Sequence, residues 1–127
     1  MKKFLSILAA SILVSGSAFA MKPVTIIDQG SFMAGGTEIT AAGNYNGNDP
    51  RNYAGHTLHG DHAYVFYQIP QNPKKLSLIF LHGWGQSGKS WETTPDGRDG
   101  FQNIFLETKF PVYIVDQPRR GRAGQST

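Results

Sequence analysis

The chain has 127 residues, no cysteine and a formal net charge of +3. Without cysteine there is no disulfide framework, so the fold depends on core packing alone. Two of the twelve Lys and Arg residues lie in the first three positions and the rest of the chain is close to neutral, so its charge does not indicate nucleic-acid binding.

The N-terminus has the organisation of a secretory signal peptide. Two lysines form a positive start, residues 4–14 are an apolar run, and residues 18–20 read Ala-Phe-Ala, which is a cleavage site of the A-x-A type. The run is too short for a stable membrane span. We therefore expect residues 1–20 to be removed and residues 21–127 to be exported to the periplasm or the extracellular space.

The first half of the mature chain predicts two strands separated by a long loop. Residues 31–34 precede Gly35-Gly36 and predict a short strand. Residues 41–60 are rich in Gly, Asn and Asp and contain Asn-Gly and Asp-Pro pairs, which predict a loop. Residues 63–69 are aromatic and β-branched and end at a proline, which predicts the second strand.

The second half predicts a parallel β-α-β unit. Residues 76–81 are apolar apart from Ser77, as expected of a strand covered on both faces. Residues 101–108 have apolar residues at helical spacing, with Asp99 as a candidate cap. Residues 112–115 (VYIV) predict another buried strand. Together with the earlier strands, which give an antiparallel start, this pattern indicates an α/β fold.

A glycine-rich turn follows the strand at residues 76–81 and admits two interpretations. The first is a phosphate-binding loop, because residues 83–90 (GWGQSGKS) fit the pattern G-x-x-x-x-G-K-[ST]. That loop requires a helix from Lys89 onward, and Pro95 and Gly97 interrupt such a helix. An exported protein also meets little nucleotide, so a nucleotide binder is only a distant alternative.

The second interpretation is the oxyanion loop of an acyl-transfer enzyme. Acyl transfer places negative charge on a carbonyl oxygen, which fixed backbone N–H groups stabilise. In α/β-hydrolases one such donor lies in the loop after the third strand. The order His82-Gly83-Trp84-Gly85 suits this loop, because glycine lets the backbone approach a ligand closely. Residue chemistry alone predicts that the loop faces a ligand.

Longer motifs resemble a group of secreted bacterial α/β-hydrolase esterases. Residues 82–101 (HGWGQSGKSWETTPDGRDGF) and 112–124 (VYIVDQPRRGRAG) carry the resemblance, together with 30–36 and 60–70, which resemble the first strands of that group. The resemblance implies that residues 21–127 are the N-terminal portion of an α/β-hydrolase fold with an incomplete sheet. It also implies a small-molecule ester as the substrate of an intact relative.

The resemblance assigns roles to individual residues of the turn. The backbone N–H of Trp84 would be the oxyanion-hole donor, in a loop formed with His82, Gly83 and Gly85. Three further residues would shape the loop beneath the site: Trp91, Glu92 and Arg98. For Glu92 and Arg98 we expect structural ion pairs or loop hydrogen bonds.

The Ser, acid and His of the family are not found in this chain. The nucleophile of the family lies in G-x-S-x-G on a later strand. Ser126 follows Gly124-Gln125, but it comes too soon after the strand at 112–115, so we predict a loop residue. His82 is predicted to be structural. We therefore expect residues 21–127 to be an inactive fragment or remnant that is poorly soluble or partly folded by itself.

Neither a metal nor a cofactor is expected. Four residues of metal-binding types lie within residues 56–62, namely His56, His59, Asp61 and His62, but their spacing is irregular and no distal ligand is evident. A basic trio near the C-terminus, Arg119, Arg120 and Arg122, is predicted to be a solvated loop or a set of local ion pairs. The alternative function is a small exported binding or structural protein, and the oligomeric state carries no sequence signal.

Overall fold

The computed structural model describes residues 22–124, so the predicted signal peptide and Ser126 lie outside the described residues. This part of the chain forms a four-stranded sheet and a separate two-stranded sheet, with one α-helix and two short 3₁₀ helices. The elements are β1 (Ile26–Ala34), β2 (Thr37–Thr40), β3 (Thr57–Gly60), β4 (Ala63–Pro70), β5 (Leu78–Leu81), α1 (Phe101–Glu107) and β6 (Val112–Asp116), with the 3₁₀ helices at Gly88–Trp91 and Gly121–Ala123. No helix within residues 22–124 is long and apolar enough to cross a membrane.

The main sheet combines antiparallel and parallel pairing. Its strand order is β1-β4-β6-β5. β4 pairs with β1 and with β6 in antiparallel directions, whereas β5 and β6 are parallel and joined through α1. The predicted α/β class, with an antiparallel start followed by a parallel β-α-β unit, is confirmed. The strands predicted at 63–69 and 112–115 are β4 and β6, each extended by one residue.

The N-terminal strands differ most from the prediction, because they pair with segments distant in sequence. β1 begins at Ile26, five residues before the predicted strand, because its polar first half pairs with β4 from Ile26 opposite Pro70 onward. The prediction of a loop over 41–60 is wrong for Thr57–Gly60, which pairs with Thr37–Thr40. Almost all residues of these two short strands are exposed. Their sequences therefore lack the alternation of apolar and polar residues by which a strand is recognised.

The core lies between α1 and one face of the main sheet. Leu106 of α1 packs with Val112 and Ile114 of β6, and all three are almost fully buried. Phe80 extends this core from β5, where its ring stacks on Trp91 at a centroid distance of 5.0 Å. Alternate residues of neighbouring strands thus supply one continuous apolar face.

The helix is confirmed, but its predicted cap is wrong. Gly100 directly precedes α1 and provides no side-chain cap. Only glycine fits there, since a Cβ atom would overlap the carbonyl oxygen of Glu92. The carboxylate of Asp99 instead accepts a hydrogen bond from Asn103 Nδ2 at 2.6 Å. Ile104, which the helical spacing assigned to the apolar stripe, is 46% exposed.

The other face of the main sheet is exposed along β5 within residues 22–124. Ile79 and Leu81 of β5 are 70% and 53% exposed, so within residues 22–124 this apolar strand is covered on one face only, as expected of an incomplete sheet. An open apolar cavity of about 390 Å³ lies against this face, beside Phe32, Tyr113 and Val115. Such a surface favours association or aggregation; poor solubility of the chain stays a prediction.

Removing one methylene group from each face tests this asymmetry. Ile114→Val should lower the free energy of unfolding by about 0.5–1.5 kcal/mol, because it leaves a cavity in the core. Ile79→Val removes the same group from the uncovered face and should change it by less than about 0.5 kcal/mol. Urea unfolding of the full chain measures both values. Equal losses for the two variants would contradict the one-sided core.

Candidate functional site

Two loops meet at one edge of the main sheet. The glycine loop (residues 82–90) follows β5, and the arginine loop (residues 117–124) follows β6. Because β5 and β6 are parallel neighbours, both loops leave the sheet at the carboxyl ends of the strands. In open α/β sheets this edge is the usual location of ligand sites.

Asp116 joins the two loops. It is the last residue of β6 and is only 1% exposed. Its Oδ1 atom accepts a hydrogen bond from Gly88 N–H in the glycine loop at 2.5 Å. Its Oδ2 atom accepts bonds from Arg122 N–H at 2.8 Å and Arg122 Nε at 3.3 Å in the arginine loop. One buried carboxylate therefore fixes the position of both loops.

The environment of Asp116 keeps this carboxyl group ionised. Burial raises its pKa, but the hydrogen bonds from Gly88 N–H and from Arg122, with the charge of Arg122, lower the pKa by more. The net result is a pKa of Asp116 below the usual value for aspartate. Hydrogen bonds to the charged form are the dominant favourable contribution, as expected of a carboxylate that accepts backbone N–H groups.

Two glycines make this close approach sterically feasible. A Cβ atom at Gly88 would lie 2.6 Å from Cγ2 of Ile114, in the core of the sheet. At Gly121 a Cβ atom would collide with the carboxylate of Asp116, and its φ of +48° also favours glycine. Glycine is thus required at both positions because the loop backbone lies too close to β6 for a side chain.

His82 is a second connection between the loops. Its side chain is buried, with Nδ1 2.8 Å from the carbonyl oxygen of Gly83 and Nε2 3.2 Å from the backbone nitrogen of Gln117. Since Gln117 N–H donates to Nε2, the hydrogen-bond network assigns the proton to Nδ1, which donates to Gly83. Both ring nitrogens are occupied, which leaves His82 a structural role in this arrangement.

The tip of the glycine loop is open. The side chain of Trp84 is 94% exposed. Within residues 22–124, no backbone or side-chain acceptor takes the N–H of Trp84. The flanking backbone is held, because Gln86 N–H donates to the carbonyl oxygen of Gly83 at 3.2 Å and the Gln86 side chain accepts from Gly83 N–H at 3.3 Å. The Trp84 N–H is therefore available to a ligand.

The phosphate-loop interpretation is contradicted by this geometry. The motif continues into a 3₁₀ helix of four residues, Gly88–Trp91, and not into the α-helix that the interpretation requires. The N–H of Gly88 donates to the Asp116 carboxylate, so a negative charge already occupies the place of a phosphate. The Lys89 ammonium donates to the carbonyl and hydroxyl oxygens of Thr93, both at 2.9 Å.

Glu92 and Arg98 both make ion pairs, as expected, but not with each other. Glu92 Oε1 lies 3.1 Å from Arg122 Nη2, which extends the Asp116 network. Arg98 Nε lies 2.8 Å from Asp96 Oδ2 within its own loop. Asp116 itself was missed by the sequence reasoning. Its one signal was a charged residue directly after the apolar run VYIV.

The predicted basic trio divides into paired and unpaired members. Arg119 Nε lies 2.7 Å from Asp61 Oδ1, and Arg122 pairs with Asp116 and Glu92. Arg120 has no carboxylate partner in the part of the chain that the structure describes. Two of the three arginines thus make ion pairs. The pair of Arg122 with Asp116 is local, as predicted, whereas Arg119 pairs with a residue distant in sequence.

The potential metal-binding side chains of residues 56–62 do not come together at one site. His56 packs against the rings of Tyr45 and Tyr53, at centroid distances of 5.0 and 5.7 Å. His59 instead faces Glu38 across the small sheet, with Nδ1 3.1 Å from Oε1. Among residues 22–124 no group of three or more His, Cys, Asp or Glu side chains is placed to hold a metal ion.

A cleft of about 950 Å³, lined mostly by polar residues, lies between the two loops. We call it the loop cleft. Its lining includes Gln86, Ser87, Lys89 and Ser90 from the glycine loop and Arg119 and Arg120 from the arginine loop. The cleft thus lies beside the loop tip that presents Trp84.

A solved structure described as a novel bacterial esterase matches 83% of the chain, with a TM-score of 0.70 and 39% sequence identity. This chain has the fold of part of an α/β-hydrolase esterase. It covers 32% of that esterase chain. The mixed α/β sheet of this chain thus matches part of a larger esterase fold.

The esterase-like region is also similar to a fungal protein. Over 72 residues, 56% of this chain, it is 43% identical to the probable secreted lipase phiG of Fungal sp. (strain ATCC 74256), and it spans 20% of that protein. No protein-family model matches the chain. The chain thus spans about a third or less of the length of each of these relatives.

Replacing the loop-fixing carboxylate by an amide tests the role of Asp116. Asp116→Asn should lower the free energy of unfolding by about 1–3 kcal/mol at pH 7, because the amide places N–H groups where the carboxylate accepts and leaves a buried backbone N–H without its charged acceptor. The pKa of Asp116 is lowered in the folded protein. The stabilisation is therefore complete above the unfolded pKa of about 3.9 and is lost as pH falls through the folded value.

Urea unfolding of both proteins from pH 7 down to pH values below the unfolded pKa measures this difference. The gap between wild type and Asp116→Asn should shrink as the carboxyl group takes up a proton. A gap that does not change with pH would show that the charge of Asp116 does not hold the loops.

Proposed function

We propose that this protein acts in carboxylic-ester hydrolysis, as the part of an α/β-hydrolase that carries the oxyanion loop. The observation that carries the proposal is the backbone N–H of Trp84, which has no acceptor within residues 22–124 and lies in a fixed loop after β5. The similarity to part of a bacterial esterase, at 39% identity, supports it.

The proposed role of the loop follows from the charge that develops in ester hydrolysis. When a nucleophile attacks an ester carbonyl, the carbonyl oxygen becomes negative and is stabilised by N–H groups already pointing at it. Trp84 N–H would be such a donor. Its position is preorganised because His82 holds one side of the loop and the Gly88–Asp116 hydrogen bond holds the other.

The nucleophile, base and acid are proposed to come from outside the described residues. Between residues 22 and 124 no histidine is hydrogen-bonded to a serine, and His82 has both ring nitrogens engaged. An acyl-transfer triad needs such a pair to activate the nucleophile. We therefore expect the chain of 127 residues to have no esterase activity by itself.

We further propose that the protein is exported, to the periplasm or the extracellular space. The signal-like sequence of residues 1–20 supports this, and so does the similarity to a probable secreted lipase.

A chimera tests the proposed function. Residues 30–124 of this chain replace the matching segment of the bacterial esterase, and hydrolysis of p-nitrophenyl acetate is measured. We expect the chimera to turn over the ester and the 127-residue chain to be inactive. A folded but inactive chimera would contradict the proposal and favour an exported binding or structural protein.

Two substitutions in the chimera isolate the backbone donor. Trp84→Pro removes the N–H and should lower kcat by about 10²–10³-fold, the usual effect of losing one oxyanion donor. Trp84→Ala removes the exposed indole ring but keeps the N–H, so it is the matched control and should retain most of kcat. Thermal unfolding verifies that both variants fold. Equal losses of kcat in the two variants would contradict the proposed role.

A further inference from the structure

The loop cleft carries positive charge without a carboxylate in its wall. Lys89, Arg119 and Arg120 line it, together with hydroxyl groups that include those of Ser87 and Ser90. None of the residues found in the cleft wall is Asp or Glu. A concave surface with several cations suits a negatively charged ligand group.

The three cations of the cleft differ in how far they are neutralised. Lys89 donates to Thr93 and lies 3.7 Å from Glu92 Oε2. Arg119 is paired with Asp61. Arg120 donates from Nη1 to the carbonyl oxygen of Arg119 at 3.4 Å, and its guanidinium makes no ion pair within residues 22–124. Since a guanidinium has five N–H donors, most of its capacity is unused.

The backbone around Arg120 is held from both sides. Before it, Arg119 has φ +65° and is joined to Asp61, which has φ +53°. After it, Arg122 is bound to Asp116 through its backbone and its side chain. Arg120 N–H itself donates to the carbonyl oxygen of Gln117 at 2.9 Å. A cation on a fixed backbone loses less freedom when it binds a ligand.

We propose that the loop cleft binds an oxyanion group of a small ligand, a carboxylate or a phosphate, with Arg120 as the principal cation. Gly85 and Gln86 form part of the same wall and directly follow Trp84. If the proposed esterase function holds, on which this step rests, the substrates are esters that carry a second, anionic group.

Direct binding to the full chain tests the site without any requirement for catalysis. The probes are glutarate, inorganic phosphate and the neutral dimethyl ester of glutarate, titrated calorimetrically at low ionic strength. At least one of the two anions should bind, the neutral ester should not, and added salt should weaken binding. Preference for glutarate identifies a carboxylate site, and preference for phosphate identifies a phosphate site.

Variants that remove one positive charge at different positions test whether Arg120 binds the anion. Arg120→Ala should weaken binding of the preferred anion by about tenfold, as expected for hydrogen bonds to a charged group. Arg120→Lys should recover part of it. Arg51→Ala removes the same charge from the 41–56 loop, outside the cleft wall, and should leave binding unchanged. Equal weakening by Arg120→Ala and Arg51→Ala, or equal binding of the neutral ester, would overturn the proposal.

The two experiments can reject either proposal without rejecting the other. An inactive chimera together with Arg120-dependent anion binding would reject the esterase function and support the anion site. An active chimera together with anion binding that is insensitive to Arg120→Ala would reject the anion site and keep the esterase function.

Discussion

The buried carboxylate of Asp116 is the constraint on which the functional edge of this protein depends. It ends β6 and accepts hydrogen bonds from the glycine loop and the arginine loop at once. Because its charge is out of water, it is stable only while those donors are in place. One side chain thereby holds both loops. Its carboxylate requires glycine at 121, whereas Gly88 is required by its contact with Ile114.

The parallel pairing of β5 and β6 makes this connection possible. It brings the ends of two strands together at one edge, where His82 adds a second contact between the loops. The result is an ordered surface with an available backbone donor at Trp84 and an unpaired guanidinium, among residues 22–124, at Arg120. On the sheet itself, by contrast, the described residues leave an apolar face uncovered. An ordered loop edge on an uncovered sheet is consistent with a chain that spans about a third of a similar esterase.

The sequence predicted those elements whose own residues determine them. β4, β6 and α1 have continuous aromatic, β-branched or helical patterns, and each lies within one residue of its predicted bounds. β2, β3 and the first half of β1 depend on partners distant in sequence, so their polar residues gave no local signal. The glycine loop was recognised as facing a ligand, but its sequence fits two functions. The hydrogen bond from Gly88 N–H to Asp116, 28 residues later, and the four-residue 3₁₀ helix after the motif distinguish them. A sequence pattern does not show which acceptor takes an N–H.

Amide hydrogen exchange of the full chain, resolved by NMR, tests the central claim most directly. The Gly88 N–H is bound to a buried carboxylate, whereas the Trp84 N–H four residues earlier has no acceptor within residues 22–124. The account predicts slow exchange at Gly88 and exchange close to the unprotected rate at Trp84. Equal exchange rates at the two positions would contradict it, because the loop would then be neither held by Asp116 nor open at its tip.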